Sequence, residues 1–127
     1  MHQVTDTMVY QLRQLQQMIY TSNVEKGWYT NLETGEYQDR NFGMACSLIH
    51  SEISEAFEGW RKNRTDEHLP TRLSIEVELA DAMIRILDTA GAMNLDLAGA
   101  LRDKFAVNQT REDHTMDHRR GDGGKRV

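Results

Sequence analysis

The chain has one cysteine, one proline and few aromatic residues, 7% of its 127 positions. A lone thiol, Cys46, cannot form an intrachain disulfide and suits a reducing compartment. With Pro70 the only proline and nine glycines, turn residues are too sparse for the short, closely spaced strands of a sandwich or barrel. Positive charge is not in excess: the formal net charge is −5, which disfavours a general nucleic-acid binder, since phosphate backbones need a clustered basic surface. No apolar run approaches the ~20 residues that cross a bilayer, so no membrane partner is expected. The start, Met1-His2-Gln3-Val4-Thr5-Asp6, lacks the basic and apolar stretches of a signal peptide, and a cytoplasmic setting is expected. What is present is 39% hydrophobic and 28% charged residues, enough for a packed core under a highly charged surface. The length fits a single domain spanning 1–127.

Hydrophobic periodicity divides that length into helices. Met8, Val9, Leu12, Leu15 and Ile19 step by threes and fours, which predicts a first helix from about Thr5 or Asp6 to about Tyr20. Asn31 to Asn41, with Gly35 inside, reads as a loop, and residues 1–41 form an N-terminal helix and loop. A second helix is expected from about Phe42 to Asn63, with Leu48, Ile49, Ile53, Ala56, Phe57 and Trp60 on a wide apolar face. A polar break from Asn63 to Pro70 precedes a third helix, about Thr71 to Ala92, ended by Gly91 and Asn94. That helix is apolar nearly all round and should lie at the centre of a bundle. A fourth helix is expected from about Asp96 to Thr110, carrying Leu97, Leu101, Phe105 and Val107. Residues 112–127, ending in Gly123-Gly124-Lys125-Arg126, read as a flexible basic tail. The expected fold is all-α and four-helix-bundle-like. A bundle this short buries little core for its surface, so completion by oligomerisation, as a homodimer or homotetramer, is expected.

Four acids occur where a bundle should be apolar. Glu52 and Glu55 are three apart on the second helix; Glu78 and Asp81 are three apart on the third. That step places each pair on one helix face, among Leu48, Ile49, Ile53, Ala56, Leu79, Ala80 and Met83. Antiparallel packing would bring the four carboxylates together, where they would repel one another unless a cation were shared. An all-oxygen set suits Mg²⁺, with Mn²⁺ as a substitute. Glu58 with Arg61 and Lys62, and Glu76 with Arg72, read instead as surface ion pairs.

The run Leu48-Ile49-His50-Ser51-Glu52-Ile53-Ser54-Glu55-Ala56, followed by Glu78-Leu79-Ala80-Asp81-Ala82, resembles the MazG-like all-α nucleoside triphosphate pyrophosphohydrolases. Their pattern is EExxE, a spacer, then ExxD; here 22 residues separate Glu55 from Glu78. Ser51 stands at the first acid of that pattern. Lys104, Asn108 and Arg111 and the glycine-rich basic ending extend the similarity, so that 42–111 would be the catalytic helices.

The resemblance implies metal-dependent hydrolysis of (deoxy)nucleoside triphosphates between the α- and β-phosphorus, giving monophosphate and pyrophosphate, in nucleotide pool control or house-cleaning. It implies metal ligation by Glu52, Glu55, Glu78 and Asp81 and catalysis at Glu52 and Glu55, with Glu55 favoured as acceptor of the water's proton. Lys104, Asn108 and Arg111, four and three apart, form one polar helical stripe that could hold phosphates; ordinary pairing of Arg111 with a nearby acid is the plainer alternative. Trp28 could stack on a nucleobase, although packing is the commoner fate of such a residue. Asp88 could support the acids or pair with Arg85. Two other classes stand behind the enzyme: a non-catalytic helical interaction module, and a di-metal carboxylate bundle, which needs a Glu-x-x-His tetrad that the chain does not contain.

Overall fold

The computed structural model describes residues 1–127 as an all-α chain without strands. Its helices are α1 (Asp6–Glu25), α2 (Phe42–Arg61), α3 (Ser74–Ala92), α4 (Leu97–Thr110) and a short α5 (Met116–Arg120). Two compact units result: Leu15–Leu95, and Met1–Gln14 with Asp96–Val127. None of the helices is long and apolar enough to cross a membrane.

In the larger unit α2 and α3 form the main packed pair. Gly59 of α2 lies against Ser74 at the start of α3, while Glu52 of α2 meets Arg85 further along α3, so the two helices run antiparallel. Gly59 is the point of closest approach: a Cβ there would fall 2.5 Å from the Ser74 hydroxyl and 2.8 Å from its Cβ. Gly91 does the same between α3 and α1, where a Cβ would stand 2.6 Å from that of Tyr20. Gly91 was expected to help end α3, yet it lies inside the helix and serves packing.

Capping sets the helix ends. The Asn41 side chain accepts the Met44 N–H at 3.0 Å and opens α2. Asn63 (φ 49°) and Asn94 (φ 53°) adopt the left-handed conformation just past α2 and α3, a common helix terminator. Helix α1 continues five residues beyond the expected Tyr20, because its stop signal is Gly27 (φ 84°) and not the loss of apolar spacing after Ile19. Helix α3 starts at Ser74 instead of Thr71, since Asp66 N–H donates to the Arg72 carbonyl and Thr65 bridges Leu73. The polar break is therefore an ordered hairpin-like loop. A second such loop, in 30–37, closes with a Thr30–Tyr37 bridge.

Tyr29, Ala56, Ala82, Leu87 and Ala90 form the buried apolar core of this unit. Tyr29 meets Tyr20 edge-on and stacks on Tyr37, with ring centroids 5.2 and 5.8 Å away. Helix α3 was expected at the centre of a bundle, and within the single chain its Leu79, Met83, Ile84 and Ile86 are exposed. The larger unit has too few elements to cover every side of an all-round apolar helix.

In the smaller unit Asp96 caps α4 by accepting the Gly99 N–H at 3.0 Å and pairs with Arg13 at 3.0 Å. Arg102 pairs with Asp6 at 3.1 Å, and Val9 and Ala98 are buried. Residues 112–127, expected as a flexible tail, contain a 3₁₀ turn (Glu112–His114) and α5. Asp113 gathers Arg111 (2.7 Å) and Lys125 (3.0 Å), and Arg119 donates to the carbonyls of Lys125 and Arg126. These local bonds replace extended chain.

Candidate functional site

Glu52 and Glu55 project from α2 toward Glu78 of α3, and one carboxylate oxygen from each lies within 4.8 Å of the others. The antiparallel pairing of α2 and α3 explains the convergence, because it opposes two i, i+3 acidic faces. Glu52 is only 7% exposed. Its Oε1 accepts from Arg85 Nε at 2.8 Å, which leaves Oε2 free of that bond. The sequence allowed Arg85 to Asp88; the structure gives it to Glu52.

The electrostatics are asymmetric. Burial, hydrogen bonds to Glu52 and Glu55, and their charges push the Glu78 carboxyl up to about 8. Burial also works against the charge on Glu52, but hydrogen bonds to Arg85, Glu78 and Glu55 outweigh it and hold Glu52 below its ordinary value. Three acids thus keep a proton between them near neutrality, carried by Glu78. Asp81 is raised by burial and then by the charge of Glu52. It stands outside the three-acid cluster but lines the same cavity.

That cavity measures about 660 Å³. The four acids line it, with Glu58 of α2 and Arg64, Asp66, Glu67 and His68 of the 62–73 loop. Arg64 and His68 escaped sequence reasoning because a polar break carries no periodicity to orient them; only their closeness in sequence to the acidic helices hinted at them. Asp66 is buried, and its Oδ2 accepts from the backbone of His68 (2.9 Å) and Leu69 (2.7 Å), so it builds the loop. Ser51 is exposed and donates to the Leu48 carbonyl at 2.7 Å.

The donor set fits a hard divalent cation. All candidate ligands are carboxylate oxygens, and the cluster must hold a proton when no cation is shared.

A second cavity, of about 400 Å³, shares Glu52 and Asp81 with the first and is lined also by Trp28, Arg40, Arg85 and Asp88. Trp28 is 62% exposed, with the Arg40 guanidinium 5.7 Å from its ring centre. Asp88 is 2% exposed; its Oδ2 accepts from the Tyr29 hydroxyl at 2.9 Å and meets Arg40 at 3.4 Å, while Oδ1 has no partner.

The stripe Lys104, Asn108, Arg111 belongs to the smaller unit. Lys104 is exposed on α4, and Asn108 has a buried Oδ1 without a partner. Arg111, just past the end of α4, is held by Asp113 through two hydrogen bonds, at 3.0 and 2.7 Å. No protein-family model matches the chain, and no curated protein or solved structure is significantly similar to it.

Proposed function

We propose that this chain is a metal-dependent nucleoside triphosphate pyrophosphohydrolase of the MazG-like kind, cutting between the α- and β-phosphorus. The observation that carries the reading is the meeting of Glu52, Glu55 and Glu78 at one wall of a large cavity, with a proton retained among them. Glu52, Glu55 and Glu78, with Asp81 beside them, would hold Mg²⁺ or Mn²⁺. A bound cation there would offset the phosphate charge and make a water more acidic.

The remaining work falls to side chains. Arg85 keeps Glu52 ionised and fixes its carboxylate plane. Glu55, the exposed member of the three, is reachable by solvent and suits the role of accepting the attacking water's proton. Arg64 and His68, which line the same cavity, can bind phosphate oxygens. Lys104, Asn108 and Arg111, in the smaller unit, are taken as phosphate-binding on the family resemblance alone, Arg111 exchanging Asp113 for phosphate. Trp28 would meet the base.

The same proposal makes the working form a homodimer or homotetramer in a cytoplasmic setting. Its support is the apolar face of α1 and α3, where Leu15, Met18, Met83 and Ile84 are exposed around a groove of about 500 Å³. The test of the function is product analysis with ribo- and deoxyribonucleoside triphosphates, with Mg²⁺ or with chelator. Monophosphate and pyrophosphate in Mg²⁺, and nothing in chelator, are expected; stepwise release of inorganic phosphate would reject the reading.

A further inference from the structure

Asp88 is the most deeply buried carboxylate of the chain, yet only one of its oxygens is satisfied. Its Oδ2 takes the Tyr29 hydroxyl and a long contact from Arg40, whereas Oδ1 is sealed from solvent without a donor. An unpaired buried acceptor costs free energy that a structural role does not recover, and a ligand N–H can offset it. Asp88 lines the second cavity together with Asn23, Trp28, Arg40, Leu48 and Ile84. That cavity, of about 400 Å³, is large enough for a nucleobase, with Trp28, Leu48 and Ile84 as its apolar wall and charged side chains around the rest. It adjoins the acidic cavity through Glu52 and Asp81. Arg40, which lies over both the Trp28 and Tyr29 rings at 5.7 and 5.1 Å, marks where a flat group can stack.

We propose that Asp88 is a specificity-determining residue that selects nucleobases carrying an exocyclic amino group over their keto counterparts. The base lies against Trp28 in the second cavity, its amino group donates to Asp88 Oδ1, and Arg40 swings aside to admit it. An ionised carboxylate oxygen can only accept, so a keto oxygen in the amino position meets repulsion. Cytosine is therefore taken over uracil, and adenine over hypoxanthine. Arg85, ion-paired to Glu52 at the junction of the cavities, faces the sugar and first phosphate. This inference rests on the proposed nucleotide reading, but the base contact is tested apart from hydrolysis.

Trp28 and Trp60 are the only tryptophans, so W60F leaves Trp28 as the sole tryptophan, excited selectively over the four tyrosines. Quenching in that background is titrated with cytidine, uridine, adenosine and inosine, which lack phosphates and need no metal. Cytidine should bind at least about tenfold more tightly than uridine, and adenosine than inosine, as expected for a hydrogen bond to a charged acceptor. D88N, whose amide can either accept or donate, should bring each ratio close to one, and Y29F, which leaves the Asp88 charge in place, should keep the preference. Equal quenching by the amino and keto partners in the parent protein would overturn the proposal, as would no quenching by any nucleoside. The wild-type comparison stands even if D88N does not fold. Preferential nucleoside binding without triphosphate cleavage would keep the pocket and reject the hydrolase; cleavage without amino preference would do the reverse.

Discussion

The carboxyl of Glu78 is the group that a change of pH or of metal concentration reaches first. It titrates at about 8 in the folded chain against an ordinary value of 4.5. Between those values the folded protein holds a proton that the unfolded protein has released, so raising the pH favours unfolding. Chemical denaturation in chelator should show stability falling from about pH 4.5 to about pH 8, and E78Q should remove most of that slope. Saturating Mg²⁺ should flatten it too, because the cation takes the proton's place. E52Q should lower the metal-free melting temperature, since it removes the charge that the buried oxygen presents to Arg85. E52Q, E55Q, E78Q and D81N should each cost about 100-fold or more in kcat with the helical circular dichroism unchanged. E58Q, which also lines the cavity but whose carboxylate is paired with Arg61 and Lys62, should cost much less than any of the four. At this scale the acids were readable from the sequence, because an i, i+3 spacing among apolar residues leaves few other places for them. Arg85 and Asp88 were not assignable: each had several partners within helical reach, and only the cross-helix geometry decides among them.

Among the elements, the α2–α3 pair carries the site, and Gly59 sets how closely the two helices approach. G59A must displace the Ser74 side chain or push the helices apart, since the added carbon would fall 2.5 Å from the Ser74 hydroxyl. A loss of about 1–3 kcal/mol in stability is expected, from overpacking at a tight contact. Calorimetric Mg²⁺ affinity should fall as well, because Glu55 lies one turn from Gly59 on the same helix. A stable G59A protein with unchanged metal affinity would separate the contact from the site. The four long helices were visible in the spacing of apolar residues. Their ends were less so, because they are set by Gly27, Asn63 and Asn94 in left-handed conformations and by the hairpin of residues 65–73. Neither that hairpin nor the folded 112–120 segment has an apolar period; side-chain and backbone bonds to nearby residues organise both.

For the molecule as a whole, the exposed apolar surface on α1 and α3 should be what a second copy covers. Met83 is 56% exposed at its centre, so M83K should shift the sedimentation coefficient toward that of a monomer. A wild-type protein already monomeric at micromolar concentration would contradict the oligomer. The reaction itself is tested most directly by running it in ¹⁸O-labelled water with Mg²⁺ and locating the label by mass spectrometry. Attack at the α-phosphorus puts one ¹⁸O in the nucleoside monophosphate and none in pyrophosphate, and chelator should leave the triphosphate intact. Label found in pyrophosphate, or turnover that persists in chelator, would contradict hydrolysis at the acidic cluster of Glu52, Glu55 and Glu78.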